Sequence, residues 1–200
     1  MKDLLLVITP IKHIKDLYSL LESKFQLIYK PNFTYKDLNA NYKKVKYIFT
    51  NPNKSNVYIN DKFIKNLPNL TAICTASTGT NHIDKKIMIK KNVSIISLTK
   101  EYKVIKKISS TSELAITFSL MAARNVIEAS SDVLNKKWNY EKFIGRQFNG
   151  LKIGVIGYGR LGKIYVNIML ALGAKIYVFD PYKLVKNKKI IQTKKISELF

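Results

Sequence analysis

Leu151-Lys152-Ile153-Gly154-Val155-Ile156-Gly157-Tyr158-Gly159-Arg160-Leu161-Gly162 is an apolar run that breaks into a glycine-rich turn. The run predicts a buried strand over residues 151–156. Gly157 to Gly162 has the form G-x-G-x-x-G, which alone is a weak signal; its surroundings make it specific. Leu161, Ile164, Ile168 and Leu172 follow at i, i+3, i+7 and i+11, the spacing of one helix face, and Gly173 ends the helix. Lys175-Ile176-Tyr177-Val178-Phe179-Asp180 predicts the next strand, which Pro181 stops. Strand, glycine turn, helix and a second strand ending in an acid make a βαβ unit of the dinucleotide-binding kind.

Each residue type has a physical reason at its place. Gly157 permits the tight turn. Gly159 has no Cβ, so a pyrophosphate can approach the backbone, and Gly162 lets the helix lie close to the strand. The N–H groups of Arg160 and Leu161 point toward the phosphates from the positive end of the helix. Asp180 stands where it can accept from the adenosine ribose hydroxyls. A 2′-phosphate there would meet a carboxylate, so NAD is favoured over NADP.

Upstream, residues 1 to about 98 alternate short apolar runs with amphipathic stretches. The runs are Leu4–Ile8, Phe25–Tyr29, Val45–Phe49, Leu70–Cys74 and Val93–Ile96. Ile14, Leu17, Leu20 and Leu21 have helical spacing, Asn60 to Leu67 reads as a short helix halted by Pro68, and Asp84 to Lys91 reads as another. Alternating strands and helices imply a parallel sheet covered on both faces, a small doubly wound α/β lobe. A long helix is then predicted from Ser110, its N-cap, with Glu113 at capping-box spacing, to about Asn135. Its apolar residues recur at Leu114, Phe118, Met121 and Ile127. Residues 136–150 read as a loop. Residues 99–200 thus form a second lobe. It holds two strands, and Ser197 to Phe200 form the first turn of a further helix.

Of 48 charged residues 35 are basic, giving a formal net charge of +22. Such an excess raises nucleic acid as a partner. However, only Arg124, Arg146 and Arg160 are arginines, and the lysines are spread along the whole chain, as on a solvated surface. The longest apolar stretch, Leu114 to Ala123, contains Thr117 and Ser119 and is too short to span a bilayer. No nucleic-acid or membrane partner is therefore expected. The apolar run at the N-terminus is five residues long with no small-residue cleavage site after it, so it reads as a strand, not a signal peptide. The single cysteine, Cys74, excludes an intrachain disulfide and fits a reducing, cytoplasmic compartment; it reads as a core residue. No metal-ligand cluster stands out.

Three stretches, Asn149 to Pro181, Ser77-Thr78-Gly79-Thr80-Asn81-His82-Ile83-Asp84, and Thr111-Ser112-Glu113-Leu114-Ala115 continuing to Val126, occur in an order that resembles the D-isomer-specific 2-hydroxyacid dehydrogenases, the phosphoglycerate dehydrogenase-like family. The last of them is most similar to hydroxypyruvate and glyoxylate reductases. The resemblance implies a flavodoxin-like substrate lobe followed by a Rossmann lobe, and a homodimer. It implies hydride transfer between nicotinamide and a small 2-hydroxy or 2-keto acid. Backbone groups of Thr78 and Gly79 would hold the substrate carboxylate. His82 reads as packing beside that loop, His13 as a surface residue, and Glu113 as a capping carboxylate.

The same resemblance implies a catalytic Arg, Glu and His from later in the Rossmann lobe. After Asp180 there is no His or Arg, so these are expected beyond Phe200 and no residue of this chain is assigned a catalytic role. The strands missing from a six-stranded lobe correspond to on the order of 100 residues. The sequence thus reads as a C-terminally truncated dehydrogenase, inactive alone. A non-catalytic, NAD-responsive protein of the corepressor kind is the alternative.

Overall fold

The computed structural model describes residues 2–52 and 57–200. The chain divides into two compact units, Met1–Ile105 and Lys106–Phe200.

In the first unit, β1 (Leu4–Val7), α1 (Leu17–Lys24), β2 (Gln26–Tyr29), β3 (Val45–Thr50), α2 (Asp61–Ile64), β4 (Ala72–Thr75), α3 (Lys85–Lys90), β5 (Ser94–Ser97) and α4 (Tyr102–Ile105) follow in order. The sheet is parallel throughout, in the order β2-β1-β3-β4-β5. Because side chains alternate across a strand, β1 feeds two cores. Leu6 joins Ile48, Ile73, Phe63 and Met88 on one face. Leu5 and Val7 meet Leu17, Leu21 and Phe25 on the other. The helices begin where short polar side chains replace missing backbone bonds. The Asn60 side chain accepts from Phe63 N–H at 3.1 Å, and that of Asp84 from Lys86 and Ile87 N–H at 3.1 and 3.2 Å. The unit continues past residue 98, because Leu98 N–H donates to Ser77 O at 3.0 Å and the Thr99 hydroxyl to Thr78 O at 2.9 Å.

The second unit contains α5 (Ser110–Ala123), α6 (Val126–Leu134), β6 (Lys152–Ile156), α7 (Arg160–Ala171), β7 (Lys175–Phe179) and β8 (Ile190–Gln192). Its parallel sheet has the order β6-β7-β8. Four expectations need correcting here. There are three strands, not two, since Ile176, Tyr177 and Val178 pair with Ile190, Ile191 and Gln192. The predicted long helix is two helices, because Asn125 adopts φ +51° and starts α6 afresh. Ser109, not Ser110, is the N-cap of α5, and its hydroxyl donates to the Glu113 carboxylate.

The fourth correction concerns which faces are buried. On α7, Val166 and Met169 are buried while Ile168 and Leu172 are exposed. Gly162 sets that rotation: a Cβ there would lie 2.1 Å from Gly157 O. On α5 the only buried residue is Ser112, and Leu114 and Phe118 are exposed. Ser112 and Ser119 face α7, through Ser112 Oγ to Leu161 O at 3.0 Å and Ser119 Oγ to Tyr165 OH at 2.7 Å.

Candidate functional site

β6 and β7 run side by side in parallel, so their ends deliver Gly157 and Asp180 to the same edge of the sheet. Gly157 N–H donates to Phe179 O at 2.8 Å, and Gly157 takes φ +93°, which favours glycine. Tyr158 N–H donates to Asp180 Oδ2 at 2.7 Å. The Tyr158 ring turns inward and is buried with Val155, Val166 and Val178. The turn is thereby fixed by the strand ends and by its own inward side chain.

α7 begins directly after Gly159, and no side chain caps its first turn. A Cβ built on Gly159 would meet nothing within 4 Å, whereas one on Gly162 would strike the turn itself. The two glycines therefore do different work: Gly162 closes the helix onto the turn, and Gly159 leaves open space in front of it. An uncapped helix N-terminus facing open space suits an anionic group.

The Asp180 carboxylate is more occupied than its sequence position suggests. Its Oδ1 accepts from Tyr182 and Lys183 N–H at 2.9 and 3.0 Å, in addition to the Oδ2 bond from Tyr158. The Tyr158 N–H, then that of Tyr182, hold its pKa below the ordinary carboxylate value. Oδ2 has one of these bonds and keeps acceptor capacity for a hydroxyl. Beside it lies a groove of about 830 Å³ lined by Asp180, Pro181, Leu184, Val185, Gln192 and Thr193 among others. A glycine turn open at Gly159, a part-buried acid and an adjacent groove fit a dinucleotide.

Sequence reasoning read Arg160 only as a source of backbone N–H. Its guanidinium donates to Ile108 O, in the segment before α5. Ser112 went unnoticed because a serine in an apolar helix carries no signal of its own partner.

In the first unit, Thr78 and Gly79 lie in the turn after β4. Their carbonyls accept from the Thr99 and Ser77 hydroxyls at 2.9 and 2.6 Å, and Ser77 Oγ also meets Thr75 Oγ1 at 2.8 Å. Their N–H groups have no partner among the described residues. A turn with its carbonyls occupied and its N–H groups free is suited to a carboxylate. His82 lies just beyond, buried, with neither ring nitrogen bonded among the described residues, and burial pushes its pKa down. The Cys74 thiol is pushed up by burial. Among the described residues no group of His, Cys, Asp and Glu could hold a metal, and no helix is long and apolar enough to cross a membrane.

Residues 5–132 match the family described as D-isomer specific 2-hydroxyacid dehydrogenase, catalytic domain, and residues 116–200 match its NAD binding domain. Among curated proteins, the D-3-phosphoglycerate dehydrogenase of Methanocaldococcus jannaschii is 28% identical over 129 residues, and that of Archaeoglobus fulgidus 29% over the same length. Each alignment covers 64% of this chain and 24% of the relative. A D-lactate dehydrogenase from Aquifex aeolicus, solved with NAD and lactic acid, superposes with a TM-score of 0.80 at 22% identity, covering 98% of this chain and 57% of that one. An NAD-dependent formate dehydrogenase from Staphylococcus aureus gives 0.82 at 19% identity, covering 98% and 61%. The chain thus spans less than two thirds of each.

Proposed function

The chain belongs to the D-isomer specific 2-hydroxyacid dehydrogenase family, and we propose that its second unit holds NAD with the pyrophosphate at Gly157–Gly162 and the adenosine ribose at Asp180. The observation that carries this reading is the Tyr158 N–H to Asp180 bond, which sets an ionised acceptor beside a glycine turn that opens to solvent at Gly159. The N–H groups of Arg160 and Leu161 would meet the phosphates, and Asp180 Oδ2 would accept from a ribose hydroxyl. In the first unit, the N–H groups of Thr78 and Gly79, unpartnered among the described residues, would hold the carboxylate of a small 2-hydroxy or 2-keto acid. NAD, when bound, would accept the hydride of a 2-hydroxy acid, and NADH would return one to a 2-keto acid.

These 200 residues bind but do not turn over. The chemistry needs a proton carrier and a cation at the carbonyl. The two histidines are His13, on the surface, and His82, buried without a ring partner among the described residues. The assembly is a homodimer. Its supporting observation is the exposed apolar side of α5 and α6, with Leu114, Phe118 and Ile127 each more than half exposed. Calorimetric titration with NAD tests the cofactor reading: one molecule bound per chain supports it, and no binding overturns it.

A further inference from the structure

The start of α5 is tied twice to the first turn of α7. Ser112, only 2% exposed, donates its hydroxyl to Leu161 O at 3.0 Å. Four residues earlier, Ile108 O accepts from the Arg160 guanidinium. The first tie is buried within the unit. The second is exposed, and it restrains the segment Lys106–Ser109, which has no helix or strand and joins α4 to α5.

We propose that Arg160 is a positioning residue that reports cofactor occupancy to this connecting segment. The inference rests on the reading above, that the pyrophosphate lies at the N-terminus of α7. Arg160 is the first residue of that helix. A pyrophosphate there competes with Ile108 O for the same guanidinium. The outcome follows from the bond types. A guanidinium and a phosphate make two parallel bonds between opposite charges, and a guanidinium and an exposed peptide carbonyl make one bond to a neutral acceptor. The phosphate takes the arginine and Ile108 is released. Ser112 keeps the α5–α7 contact in place meanwhile, so the change is confined to Lys106–Ser109. No backbone bond of Lys106, Lys107 or Ile108 to another segment holds that stretch among the described residues.

Lys106 and Lys107 are both exposed, and each is a tryptic site inside the connector. The experiment is timed trypsin digestion of the 200-residue chain with and without NAD, cleavage after Lys106 and Lys107 being followed by mass spectrometry and NAD binding by calorimetry. Saturating NAD should speed that cleavage by roughly threefold or more, the scale of losing one hydrogen bond that restrains a local opening. Arg160→Gln should cleave at the fast rate without NAD, and NAD should add nothing. NAD that binds yet leaves cleavage unchanged or slower overturns the proposal alone, as does an Arg160→Gln chain that cleaves at the slow rate. Absence of NAD binding overturns the cofactor reading and this one together. A Ser112→Ala chain separates the ties: its cleavage should still respond to NAD, and a response lost there would move the coupling from Arg160 to Ser112 and overturn the assignment.

Discussion

The Tyr158 backbone N–H and the Asp180 carboxylate meet at 2.7 Å, joining the glycine turn to the end of β7. The same carboxylate accepts from Tyr182 and Lys183 N–H, so one side chain braces the turns that follow two neighbouring strands. These bonds favour its ionised form and lower its pKa. A lowered carboxylate pKa contributes stability that is present above the unfolded value, about 3.9, and is lost as pH falls through the folded value. At neutral pH the brace is intact. Asp180→Ala should therefore raise hydrogen exchange at the Tyr158 amide at pH 7 by about tenfold, the scale of a lost bond to a charged acceptor. Unchanged exchange would show that the carboxylate does not hold the turn.

Gly159 and Gly162 should separate under substitution. Gly162→Ala places a Cβ 2.1 Å from Gly157 O, so the helix must back away from the turn. A loss of roughly 1–3 kcal/mol in denaturant unfolding is expected. Gly159→Ala meets nothing in the protein. Its stability should stay within about 1 kcal/mol of the parent, while NAD binding is lost because the new methyl stands where the phosphates approach. Normal NAD binding by Gly159→Ala would move the phosphates elsewhere.

Much of this site could be read from the sequence because its signals are local. A glycine turn, the strands beside it and an acid at a fixed place fix one another within thirty residues or so. The short helices that begin beside Asn60 and Asp84 were legible for the same reason. What escaped depends on partners far along the chain. The apolar recurrence at Leu114 and Phe118 marks a helix, yet the face set against α7 is that of Ser112 and Ser119, whose hydroxyls find Leu161 and Tyr165 some 46–49 residues away. β8 was missed because Ile190-Ile191 is a short apolar run after lysines, and only pairing with β7 makes it a strand. The break at Asn125 had a readable sign, since asparagine tolerates the left-handed conformation.

His82 should give the first unit a pH-dependent stability. Burial lowers its pKa, so the folded state binds the proton less readily than the unfolded chain. Above about pH 6.5 the imidazole is neutral in both the folded and unfolded states and stability is level, and it is lost as pH falls below that value. The urea midpoint of the protein should fall between pH 7.5 and 5.5. In His82→Leu, which removes two ring nitrogens unpaired among the described residues, the fall should shrink. An identical fall in both proteins would assign the titration to another group.

The exposed side of α5 should drive self-association. Sedimentation should give a dimer for the parent and a monomer for Phe118→Lys, which keeps its folded far-UV circular dichroism because Phe118 is 59% exposed. A parent that stays monomeric at high concentration would leave that apolar side without the partner assigned to it.

The central claim, that the second unit is an NAD site with its ribose at Asp180, is tested most directly by titrating the 200-residue chain with NAD and NADP in parallel. The carboxylate that would accept a ribose hydroxyl would face the 2′-phosphate of NADP as a like charge. NAD should bind one per chain and at least about tenfold more tightly than NADP, and Asp180→Ser should narrow that margin by weakening NAD. Equal affinity for the two cofactors, or no binding of either, would contradict the account.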